Sequence, residues 1–138
     1  MTTMAFENRK ERAEAYLSQS LRYLDNADEA LKNGNPDKAG EFLWGSVATA
    51  FKALLMAKKR EIIKSHSQFW DIARELTRDT GDESIYMNFR EANSLHSNFY
   101  DSKLTSEDIK ISSSKIIDLV KKLIDLTRQE LEGQKRAR

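Results

Sequence analysis

Asn35-Pro36-Asp37-Lys38-Ala39-Gly40-Glu41-Phe42-Leu43-Trp44-Gly45-Ser46-Val47-Ala48-Thr49-Ala50-Phe51-Lys52-Ala53-Leu54-Leu55 reads as the start and body of one long buried helix. Asn35 can cap free N–H groups, Pro36 fits the first helical position, and Asp37 sets a negative charge at the positive end of the helix dipole. Leu43, Val47, Ala50 and Leu54 form one apolar stripe, with Trp44, Ala48, Phe51 and Leu55 beside it. A face this wide belongs to a central helix with neighbours on two sides. Gly40, Gly45, Ala48 and Ala50 leave room for another helix to come close. The spacing predicts this helix over 36–64, ending in the cluster Lys58, Lys59, Arg60 and Lys64.

On either side the same periodicity repeats. Before it, Ala13, Leu17, Leu21, Leu24, Ala27 and Leu31 step by threes and fours, which predicts a first helix over 6–33 stopped by Gly34. After it, a short helix is predicted over 67–80, burying Phe69, Ile72, Ala73 and Leu76 and ended by Gly81. A fourth follows over 83–100, with Ile85, Phe89, Ala92, His96 and Phe99 on one line. Thr105 and Asp108 resemble a capping box that opens a fifth, carrying Ile109, Ile116, Ile117, Val120, Leu123, Ile124 and Leu131. Gly133 is expected to break that pattern, leaving residues 134–138 as a frayed basic tail. The expectation is one all-α domain over 1–138, an up-and-down bundle of four long helices and one short one.

Composition agrees with thin, well-solvated helices. Of 138 residues, 33% are charged and 39% hydrophobic, and one Pro and five Gly are too few for the turns of an all-β domain. A net charge of +1 excludes a globally basic nucleic-acid binder, so any basic surface must be local. With no cysteine, thiol catalysis and thiolate zinc sites are excluded. No signal-peptide core appears near Met1, and the longest apolar run, Ala53 to Ala57, is far short of a membrane span. A cytoplasmic protein with no membrane association is expected.

Several chemistries fail on spacing. Gly40 to Ser46 has glycines at P-loop spacing but no lysine before the serine, and it lies inside a helix. Di-metal carboxylate bundles need Glu-x-x-His, whereas Ile63 and Asn93 stand three residues before His66 and His96. No metal or cofactor is expected. Asn35 to Ala39 resembles the start of a tetratricopeptide helix pair, but that architecture needs about three repeats and one unit is present. His66, between two predicted helices, reads as an exposed or capping loop residue.

His96 lies on the apolar line of the fourth helix, with Arg90 and Asn93 on the same helix. Steps of three turn an ideal helix by about −60°, so the three fan over about 120° and rise about 9 Å. His can move a proton near neutral pH, Arg can hold a phosphate and Asn can orient either. The plainer reading makes His96 a satisfied core residue and Arg90 a solvated one.

Arg90 to His96 fits the Arg-x(4–6)-His pattern and resembles the motif of HEPN domains. Ala92-Asn93-Ser94-Leu95-His96-Ser97-Asn98-Phe99-Tyr100 and Lys38 to Ala48 are similar to the PaREP group, a HEPN-related set of small helical proteins. The resemblance implies a homodimeric bundle. In catalytic members two Arg–His motifs meet across the dimer and cleave RNA without a metal ion. His96 would then move protons, and Arg90 would hold the phosphate. Some HEPN toxins carry a tyrosine two residues after the histidine, used by a nucleotidyltransferase partner; here that position is Asn98, and Tyr100 lies four after. Two classes are open: an endoribonuclease of a toxin–antitoxin or defence system using Arg90, Asn93 and His96, or a non-catalytic module that dimerises and binds RNA or a partner protein. Trp44, Phe51, Phe89 and Phe99 are read as apolar surface in excess of one small bundle, to be covered by a second copy.

Overall fold

A computed structural model describes residues 3–60 and 63–137. Five helices follow in order: α1 (Thr3–Lys32), α2 (Pro36–Ala57), α3 (His66–Thr80), α4 (Glu83–Asp101) and α5 (Ser106–Ala137). They form an up-and-down bundle, and no strand occurs among the described residues. Their lengths are 30, 22, 15, 19 and 32 residues. Because α3 and α4 differ by only one turn, the division into four long helices and one short one does not hold.

Helix α2 is the centre, packed against α1, α4 and α5. Thirteen of its 22 residues are buried, so it needs neighbours on more than one side. The caps act as the sequence predicts. Asn35 accepts a hydrogen bond from the Lys38 N–H at 3.2 Å. Thr105 and Asp108 exchange side-chain-to-backbone bonds at 2.9 and 3.2 Å. Gly34 and Gly81 both take φ +72°, the left-handed stop that only a residue without Cβ adopts at low cost.

Two helix ends differ from expectation. Helix α2 stops at Ala57, not at Lys64: Lys58 caps it, and Lys59 turns to φ 62°. Residues 61 and 62 of the expected extension lie outside the described residues, as does Arg138 of the expected tail. Helix α5 runs straight through Gly133 to Ala137. Its end is held by Gln134, which donates to the Ala57 carbonyl at 2.6 Å and accepts a bond from Arg9. A Cβ at Gly133 would meet nothing within 4 Å. Gly133→Ala is therefore expected to raise stability by about 0.5–1 kcal/mol through helix propensity alone, read as a higher urea midpoint.

The α1–α2 contact shows what a purely apolar pattern overlooks. Leu21, expected in the stripe, is 44% exposed, and Ser20 is fully buried in its place. Ser20 and Ser46 each donate a hydroxyl hydrogen bond to the other's backbone carbonyl, both at 2.8 Å. Small hydroxyl residues let the backbones approach where a leucine would hold them apart.

Helices α4 and α5 are clasped at the other end by charge. Lys122 pairs with Asp82 at 2.9 Å and Asp118 at 3.2 Å. Asp82 also caps α4, accepting from the Ser84 N–H at 3.0 Å. The Ser84 hydroxyl, then Lys122, hold the Asp82 carboxyl below its usual range; Asp82 in turn holds Lys122 above its usual range. The depressed carboxyl contributes stability above its unfolded value of about 3.9, lost as pH falls through the folded value. The raised amine contributes below about 10.4, lost as pH rises through its folded value. Asp82→Ala is expected to cost about 1 kcal/mol at neutral pH as a lost cap. The gap to wild type should narrow in urea titrations below about pH 4.

Candidate active site

The aromatic core positions the site. Phe89 is fully buried and packs against Trp70 at 4.7 Å, Phe51 at 5.7 Å and Trp44 at 5.8 Å between ring centroids. Trp44 is 7% exposed, so its ring forms the boundary between this core and a half-open crevice formed by α2, α3 and α4. Phe51 and Phe89 are at 0%. Three of the four aromatics read as surplus surface are therefore consumed by the chain's own core. Phe99, 41% exposed, is the exception.

Above Trp44 lie two imidazoles. His96 of α4 stacks on the Trp44 ring at 5.0 Å and 24°. His66, the first residue of α3, lies 5.0 Å from Trp44 at 32° and 5.3 Å from His96 at 19°. Three near-parallel rings thus make a triangle about 5 Å on each side.

Each histidine has one ring nitrogen fixed. Nδ1 of His96 lies 3.0 Å from both carboxylate oxygens of Glu41 on α2. A carboxylate only accepts, so that nitrogen carries the proton, and Nε2 is left without a hydrogen-bond partner among the described residues. Nε2 of His66 lies 2.6 Å from Oδ1 of Asn93. An amide oxygen also only accepts, so His66 is protonated at Nε2 and its Nδ1 is left open. The two rings are therefore held in opposite tautomers. His66 is exposed, and the side chains of His96 and Glu41 are 27% and 33% exposed, so the crevice is open to solvent.

Residues 15–120 match the archaeal PaREP1/PaREP8 family. The chain belongs to that family. No curated protein and no solved structure matches the chain. The matched span holds α2, α3 and α4 entire, so all of Glu41, Trp44, His66, Asn93 and His96 lies in the PaREP region.

Of the predicted site residues in this PaREP chain, His96 and Asn93 are hydrogen-bonded within the crevice and Arg90 is not. The buried face of α4 runs through Ile85, Phe89, Ala92 and Leu95, which moves His96 from the core to its rim. Arg90 is exposed and takes part in no hydrogen bond or ion pair among the described residues. His66, read as a loop residue without a partner, is exposed as expected. It is nonetheless helical, and it is bonded to Asn93 and stacked on His96. Glu41 and His66 were missed because both meet α4 through the tertiary fold. Glu41 had one signal: it extends the Trp44, Ala48, Phe51 stripe by a turn, placing a carboxylate at the edge of an apolar face. His66 had none.

Asn98, where some HEPN toxins have tyrosine, is 6% exposed. It accepts from the Lys103 and Leu104 N–H groups at 2.8 and 2.9 Å and donates to Asp37 at 3.3 Å, tying the α4–α5 loop to the start of α2. Tyr100 is 76% exposed, its ring edge-on to His96 at 6.0 Å.

Among the described residues no helix is long and apolar enough to cross a membrane, and no group of three or more His, Cys, Asp or Glu side chains could hold a metal ion.

Proposed function

We propose that this PaREP-family bundle is a HEPN-like endoribonuclease that cleaves RNA by acid–base catalysis. The observation that carries this reading is the Glu41–His96 hydrogen bond, which leaves Nε2 of His96 unbonded beside a second histidine of opposite tautomer. His96 Nε2 would take the proton of an RNA 2′-hydroxyl, and Glu41 would stabilise the imidazolium so formed. The 2′-oxygen attacks phosphorus and the bond to the 5′-oxygen breaks. His66, as an imidazolium that keeps its Nε2–H on Asn93, gives the proton on its open Nδ1 to that leaving oxygen. The products are a 2′,3′-cyclic phosphate and a free 5′-hydroxyl.

Arg90 fits the phosphate-holding role best in a homodimer paired through α4, where a second copy's arginine would face the crevice. The exposed Phe99 and Tyr100 at the end of α4 support that pairing. Light scattering is expected to give twice 15.9 kDa at tens of micromolar protein; a monomer would contradict the pairing.

A second reading is favoured by one observation: Arg90 is exposed and makes no hydrogen bond or ion pair with the histidine site among the described residues. On that reading the chain is a module that binds RNA, or a nucleotidyltransferase-type protein of a toxin–antitoxin or defence pair, without cleaving. Incubation of the purified protein with RNA in EDTA separates the two. The catalytic reading expects fragments ending in 2′,3′-cyclic phosphate, and intact RNA would exclude it.

A further inference from the structure

Beside the histidines, α2 keeps one face only partly covered. Glu41, Gly45, Ala48 and Lys52 are each half-buried on an otherwise buried helix. At 100° per residue they fall within about 60° of one another, and Lys52 stands about 16 Å along the axis from Glu41. At its Lys52 end this face borders a groove of about 440 Å³ between α1 and α2. Arg12, Arg22 and Lys52 line it beside Tyr16 and Tyr23, and no carboxylate does. None of the three cations takes part in an ion pair among the described residues, and Arg22 donates to Gln19 at 2.6 Å.

Three unpaired cations in a chain of net charge +1 make a local positive track, the basic patch that the overall composition conceals. The Tyr23 ring beside them is fixed. A Cβ at Gly45 would lie 3.4 Å from the Tyr23 ring, so the glycine lets that ring seat against α2, and Phe42 packs on it at 6.0 Å. Cations spaced along a groove with tyrosines between them are the elements of single-strand binding: the charges follow the phosphates, and bases stack on rings. Tyr16 and Lys52 also border a small hollow running on to Arg60 and Ile63, where Arg60 is paired with Glu75 at 2.8 Å, so the run of unpaired cations ends at Lys52.

We propose that the α1–α2 groove binds single-stranded RNA and lays it along the open face of α2 toward His66 and His96. The proposal rests on the ribonuclease reading for its ligand, and it makes the substrate an unpaired strand in place of a duplex. The residues that bind are distinct from those that would cleave.

The test measures binding of a fluorescein-labelled ten-nucleotide oligouridylate with 2′-O-methyl sugars, which cannot be cleaved. Wild-type protein is compared with Arg12→Gln/Lys52→Gln and with Tyr23→Leu, each checked for an unchanged melting temperature. The double neutralisation should weaken binding about tenfold or more in low salt, and should reduce the slope of log affinity against log salt by about 1.4. Tyr23→Leu should weaken binding about fivefold or more with the slope unchanged. Equal affinity of wild type and the double variant would overturn the proposal. So would displacement of the probe by polyglutamate or by anionic phosphatidylserine vesicles as readily as by unlabelled RNA. Groove-dependent binding without cleavage of natural RNA would uphold the groove and end the catalytic reading; cleavage indifferent to Arg12 and Lys52 would do the reverse.

Discussion

His96→Ala should lower the rate of RNA cleavage by about 10²–10⁴, the usual worth of one essential proton-transfer group. The substitution removes the ring nitrogen that faces the crevice and leaves Glu41 without its partner. Because the His96 side chain is 27% exposed and Glu41 33%, water can fill the space and solvate the carboxylate. Helicity and melting temperature should therefore change little. A packing role predicts the opposite pair of results, an unchanged turnover and a lowered melting temperature. Glu41→Gln separates orientation from charge. The amide oxygen can still accept from Nδ1 of His96, but it does not stabilise the imidazolium. That variant should fall between wild type and His96→Ala in rate while keeping RNA affinity.

Phe89→Ala should cost about 3–5 kcal/mol, the range for removing a buried aromatic ring. Phe89 is fully buried, and its ring touches those of Trp70, Phe51 and Trp44. No neighbour is placed to fill the void without breaking another contact in that cluster. Against a total stability of about 5–15 kcal/mol, the loss would leave the variant partly unfolded at physiological temperature. It should also loosen Trp44, the ring on which both histidines rest, so any residual cleavage should fall below what the folded fraction accounts for. Denaturant titration beside an activity assay measures both. A loss under 1 kcal/mol would mean that the core can collapse around the gap.

The contrast between these two residues shows where sequence is informative. Phe89 was legible as core because burial follows helical period, and Asn35, Gly34, Gly81 and the Thr105–Asp108 box were legible because caps are local hydrogen-bonding problems. Gly133 misled because a glycine can lie inside a helix whose end is held from outside, here by Gln134 on Ala57. The expected length of α2 failed because Lys58, Lys59, Arg60 and Lys64 read as the basic end of a helix, whereas the left-handed turn at Lys59 ends it before them. The site was legible only by half. His96 and Asn93 share a helix, so their proximity follows from spacing. Glu41 and His66 reach them from α2 and the start of α3, and no local rule relates residues 41, 66 and 96. The same long-range packing put Leu95, and not His96, on the buried face of α4 and left Arg90 exposed.

The account stands on His66 and His96 acting in one chemical step. Single-turnover cleavage by His66→Ala, His96→Ala and the double variant tests that directly. Two groups that act as a unit are not additive, so each single variant and the double should cleave at about the same residual rate. A His66→Ala variant that cleaves RNA as fast as wild type would contradict it.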